Sequence, residues 1–139
     1  MRAMAWLRVV YGASELWTYA YSYLHDTPGS EWHWADLLAV AHELRRCEPL
    51  LVAPERANIG VLTGAGGAIR ACVRDVGGVP YVITVNVSDD STATRLVVPR
   101  IGAGRAIEIH DARTIVLGSD AIADSWQPYE VRVYRIERR

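Results

Sequence analysis

The chain has 139 residues, half of them hydrophobic, and its 15 basic and 16 acidic residues leave a formal net charge of −1. That length fits one ordinary domain, or a small domain carrying an extra segment, with enough apolar material for a core. The near-neutral balance excludes a nucleic-acid partner, which needs a basic surplus to neutralise phosphates, and an acidic disordered tail.

Every basic residue is arginine, and lysine and phenylalanine are missing. Because the arginines scatter from Arg2 to Arg139, a G+C-rich coding bias explains them better than selection for gripping anions. Cys47 and Cys72 have no metal-ligand spacing and are read as small buried apolar residues, with nothing demanding a disulfide between them. The start MRAMAWLRVVYGAS is interrupted by Arg8 and lacks a small-residue cleavage site, so it is not read as a signal peptide. No apolar run reaches the roughly 20 residues that span a bilayer, so no membrane partner is expected. The compartment is left open.

Met4, Leu7, Val10 and Tyr11 fall at helical spacing, and Gly12 ends the pattern. Ala13–Tyr23 then alternates with period two, Trp17, Tyr19, Tyr21 and Tyr23 on one face and Leu16, Thr18, Ala20 and Ser22 on the other. That predicts a strand covered on both faces. His25-Asp26-Thr27-Pro28-Gly29 is a turn, Ser30 an N-cap, and Glu31 sits in the positive first turn of a second helix. Its apolar stripe carries Trp34, Leu37, Leu38, Ala41 and Leu44; Arg45 and Arg46 suit its negative end, and Pro49 stops it.

Beyond Pro54-Glu55-Arg56 the texture changes to short apolar runs with turn residues roughly every ten positions, as in an all-β sandwich. The predicted strands are Ile59–Leu62, Ala68–Arg74, Tyr81–Val87, Thr94–Val98, Ala106–His110, Thr114–Leu117 and Tyr129–Ile136, with Val76-Gly77-Gly78 turning the second into the third. One face of Tyr81–Val87 is expected to line the core. The fold class is therefore α+β: a helix-strand-helix segment over residues 1–53, then a small antiparallel β-sandwich over 54–139.

The stretch from Ile59 to Arg70 imitates a dinucleotide fingerprint, with Asp89 and Asp90 about twenty residues on. The third glycine is replaced by Ile69 or Arg70, and Gly77-Gly78 leaves no room for a crossover helix, so a glycine-rich hairpin loop is the reading and no cofactor is expected. His25, His33, His42 and His110 lie near acids without HExxH or i, i+4 spacing; solvated surface histidines and no metal are expected. No G-x-S-x-G elbow is present, and Glu15, the acid of the aromatic segment, lies at its start, away from the end where barrel enzymes place their chemistry. No catalytic residue is identified. The aromatics carry more: flat rings are what sugar rings stack on. Trp34, on the apolar stripe, is assigned to the core, whereas Trp17, Tyr19 and Trp32 are candidate carbohydrate-binding residues.

The helix followed by YGASELWTYAYS, a Trp-containing loop and WADLLAVAHELRRCEPLLVAP resembles the last strand and helix of a (β/α)8-barrel glycoside hydrolase. PYVITVNVSDDSTATRLVVP and WQPYEVRVYRI are similar to the small β-sandwich that follows such barrels. The resemblance implies that the catalytic carboxylates belong to earlier barrel strands and that Trp17 matches an aromatic sugar platform on the last strand, although Glu15 stands where a small or apolar residue is usual. It also implies a non-catalytic C-terminal portion whose sandwich supports the barrel. The alternative is a freestanding sandwich module recognising a glycan or a protein. Uncovered aromatics in Ala13–Tyr23 further predict self-association.

Overall fold

The computed structural model describes residues 1–13, 15–17, 28–56 and 59–139. Its framework is a hairpin of β2 (Ile69–Val76) and β3 (Val79–Asn86), paired from Val76↔Val79 to Ile69↔Asn86. Gly77 and Gly78 turn it with φ of 57° and 85°, the doubly left-handed backbone that matches strand twist and favours glycine. β1 (Leu62–Gly64) pairs with β2, β8 (Val131–Arg138) with β3, β5 (Gly104–Glu108) with β8, and β6 (Thr114–Leu117) with β5. The result is an antiparallel six-stranded sheet in the order β1-β2-β3-β8-β5-β6. β4 (Thr92–Val97) and β7 (Ala121–Trp126) form a second, two-stranded sheet.

Strand alternation sorts the large sheet's side chains into two cores. Ile69, Ala71, Val73, Val82, Tyr134 and Ile136 meet Leu96, Ile122 and Trp126 of the small sheet. Cys72, Ile83, Val85, Val131 and Val133 face the other way, onto Trp6, Val9, Val10 and Leu50 of the helices. The molecule is thus three layers, helices on a large sheet on a small one. The sequence reading put one face of β3 in a core; both faces are covered, because the helices cap the side the sandwich leaves open.

Helix α1 (Arg2–Val10) buries Trp6, Val9 and Val10, and Arg74 of β2 donates to the Val9 carbonyl at 3.1 Å, satisfying its negative end. Met4, on the predicted stripe, is exposed. Helix α2 (Glu31–Arg46) begins after Ser30, whose carbonyl accepts from the His33 and Trp34 N–H groups. Pro49 does not merely end it but sits in the first turn of a short helix, α3 (Glu48–Leu51), where its missing N–H costs nothing. The expected strand Ala13–Tyr23 falls mostly outside the described residues. Ala13 and Glu15–Trp17 are exposed and carry no ladder pairing, since an extended segment becomes a strand only when a neighbour completes its hydrogen bonds. The glycine-rich loop is a hairpin turn: Ala65–Gly67 makes one 3-10 turn between β1 and β2. Both cysteines are free, Cys72 fully buried.

Candidate functional site

Among the described residues, a dense polar cluster lies on the seam between helices and sandwich. Glu43 projects from α2 and is 8% exposed. Its carboxylate accepts from Arg2 Nε at 2.7 Å and Nη2 at 2.8 Å, and from the Trp6 indole N–H at 3.0 Å. His110, just past β5, brings Nε2 within 3.1 Å of the same carboxylate. Its other nitrogen, Nδ1, lies 2.9 Å from Glu108 Oε1. Glu108 is itself buried and accepts from the backbone N–H groups of His110, Asp111 and Val133 at 2.7, 2.8 and 3.2 Å. The turn after β5 explains the pairing: it folds the His110 and Asp111 N–H groups back onto the Glu108 carboxylate, which brings the imidazole beside it.

An imidazole between two carboxylates favours the form with both nitrogens protonated. The Glu43 hydrogen bond raises the His110 pKa, burial opposes it, and Glu108 adds to it. Burial pushes Glu43 up, but His110 and Arg2 outweigh that and bring it down to about 2. Burial likewise opposes the lowering of Glu108 by His110 and the backbone donors. Glycoside hydrolysis by a carboxylate pair needs one acid kept protonated as proton donor. Glu43 and Glu108 are both held ionised and saturated with donors, so this constellation suits fastening, not proton transfer. The sequence reading left His110 in solvent; Glu43 lies 67 residues away along the chain, a separation no short motif records. The cleft beside it, about 320 Å³, is lined by Arg46, Asp111, Glu130 and Arg132 as well.

A second cluster joins the two sheets. Asp124 of β7 accepts from Arg113 Nη1 at 2.7 Å, Arg132 Nη1 at 2.8 Å and the Tyr134 hydroxyl at 2.6 Å. Burial, with Asp124 beside it, pushes the Tyr134 phenol far up, so it donates as a neutral hydroxyl. The Trp126 indole donates to Thr84 Oγ1 at 2.8 Å, whose hydroxyl donates on to the Arg132 carbonyl at 3.0 Å.

Among the described residues, the candidate sugar-binding aromatics Trp17 and Trp32 are not gathered into one site. Trp17 is 82% exposed, its indole N–H on Glu15 Oε2 at 2.8 Å. It lines an apolar groove of about 580 Å³ between α1 and α2, with Met4, Leu16, Leu37 and Leu44. Trp32 lies in the first turn of α2, not in a loop, is exposed, and stacks on His33 with ring centroids 3.3 Å apart; it is not part of the groove lining. Tyr19 lies outside the described residues.

No protein-family model and no curated protein sequence matches the chain. Solved structures do match its fold. AmyP, solved in complex with maltotriose, superposes with a TM-score of 0.60 at 12% identity, over 76% of this chain and 22% of its own. A Bacteroides fragilis protein described as an α-galactosidase superposes with a TM-score of 0.54 at 13% identity, over 99% of this chain and 28% of its own. The chain therefore spans about a quarter of the length of these glycoside hydrolases, and what it shares with them is fold.

Proposed function

We propose that this chain is the non-catalytic C-terminal portion of a glycoside-hydrolase-like carbohydrate-active protein, with residues 1–53 as the end of a barrel and residues 54–139 as the sandwich that supports it. The observation that carries this reading is the α-galactosidase superposition, which takes in 99% of this chain, helices included, within a chain several times longer. The ionised, donor-saturated state of Glu43 and Glu108 supports a structural role for the seam. The open groove between α1 and α2, with Trp17 at its edge, offers an apolar face of the kind a neighbouring barrel unit covers. Two measurements test the reading. Sequencing the coding region upstream of the Met1 codon should reveal βα units in frame; an unrelated gene there would overturn it. Purified chain should turn over no aryl glycoside, and activity that survives purification and vanishes in Glu15→Gln would do the same.

The second reading, a freestanding module that binds a glycan, is favoured by the exposure of Trp17 and Trp32. Maltotriose serves as the probe, since AmyP was solved with it. Under this reading, tryptophan fluorescence shows a saturable change on titration that Trp17→Ala or Trp32→Ala abolishes; under the first reading it stays flat.

A further inference from the structure

We propose that the packing of helix α2 on the sandwich is controlled by a proton: the His110 imidazolium pins Glu43 of α2 to Glu108 of β5, and α2 loosens when that ring becomes neutral. The geometry fixes the requirement. Nε2 and Nδ1 each face a carboxylate oxygen, at 3.1 and 2.9 Å. A neutral imidazole has one N–H and one lone pair, so one of these contacts must become a lone pair against a carboxylate.

Which contact gives way follows from the other partners. Glu108 is anchored by three backbone N–H groups of its own sheet and turn, and it stays in place. Glu43 keeps Arg2 and Trp6 of α1, so its direct contact with the sandwich is lost and its remaining link runs through Arg2. α1 remains fastened independently, through Arg2 Nη1 on the Val131 carbonyl at 3.1 Å and Arg74 on the Val9 carbonyl. The seam is therefore selective: α2 loses its direct tie to β5 and loosens, while α1 keeps its own ties.

The charges around the ring sharpen the effect. α1 brings Arg2, α2 brings Glu43 and Arg46, β5 brings Glu108, the turn after it Asp111, and the β8 side Glu130 and Arg132. With His110 charged, four cations meet four anions; without its proton the cleft carries a net negative charge, with two buried carboxylates facing each other across the ring. Because the folded His110 value is raised, its contribution is complete below the ordinary histidine value of 6.5 and is lost as pH rises through the higher folded value. On the acid side Glu43 acts in the opposite sense, its contribution being present above 4.5 and lost as pH falls towards about 2. The pin is closed between these limits.

Hydrogen exchange with mass spectrometry on the full chain tests this, at about pH 5.5 and about pH 9, corrected for intrinsic rates. Protection of residues 31–46 should fall at least about tenfold at the higher pH, while residues 69–86 stay protected. His110→Gln should show the low α2 protection at both pH values. Protection of α2 that is flat with pH, or still falls in His110→Gln, would overturn the proposal. Should that variant fail to fold, the wild-type proton-NMR titration decides alone: a His110 midpoint above the ordinary histidine value of 6.5 supports the pin, and one at or below it refutes it.

Discussion

Replacing Asp124 with alanine is the sharpest test of how the two sheets are held. The side chain is 4% exposed and accepts from Arg132, itself 12% exposed, and from Arg113, 40% exposed. Arg113 can turn back to water, so its loss counts for less than about 1 kcal/mol. Tyr134 has no such escape: it is fully buried, and its orphaned hydroxyl costs about 1–3 kcal/mol. Arg132 keeps Glu130 at 2.9 Å, which holds its penalty below the 3–5 kcal/mol or so of a wholly uncompensated buried charge. Asp124→Ala should therefore lose about 3 kcal/mol in urea unfolding followed by circular dichroism, with an unchanged slope. Tyr134→Phe alone should lose about 1 kcal/mol. The double variant should fall short of the sum by at least about 0.5 kcal/mol, because the two share one hydrogen bond. An Asp124→Ala variant within about 0.5 kcal/mol of the wild type would refute the reasoning.

Three further outcomes are expected. Gly104→Ala should lose more than about 4 kcal/mol or fail to fold, since an added Cβ would lie 2.0 Å from the Glu137 carbonyl oxygen on the paired strand; near-native thermal stability would contradict this. Residues 54–139 expressed alone should still unfold cooperatively but at a lower midpoint and with new dye binding, because Cys72, Ile83, Val85, Val131 and Val133 lose their helical cover; a fragment with no transition would deny the sandwich its independence. Light scattering should show the intact chain as a dimer or larger, shifted towards monomer by Trp17→Ser with Tyr19→Ser; a strictly monomeric wild type would end the expectation of self-association.

The parts of the fold set by local chemistry were readable from residues alone. Gly77-Gly78 announced a tight turn, the alternation in Tyr81–Val87 announced a strand, and the failed third glycine at Ile69 or Arg70 marked the Gly-rich loop as a hairpin. β7 was missed because Ala121-Ile-Ala-Asp-Ser-Trp126 has little intrinsic strand preference; its six-residue pairing with β4 and the burial of Ile122 and Trp126 make it one. β8 begins at Val131 rather than Tyr129, whose φ of 56° takes it out of the extended region. The His110 pin was out of reach for a different reason. It depends on α2 meeting the end of β5 across the layers, and only the folded packing brings Glu43 and Glu108 to one ring.

The two-sided large sheet gives neighbouring residues separate allegiances. Val82 and Ile83 are consecutive in β3, yet one belongs to the core shared with β7 and the other to the core shared with α1. Trp126 and Trp6 stand in the same two compartments, each fully buried. A single strand thus works as a party wall: loosening on the helical side is felt at Ile83 and Trp6 while Val82 and Trp126 remain packed, so one short stretch of sequence carries independent reporters of both rooms.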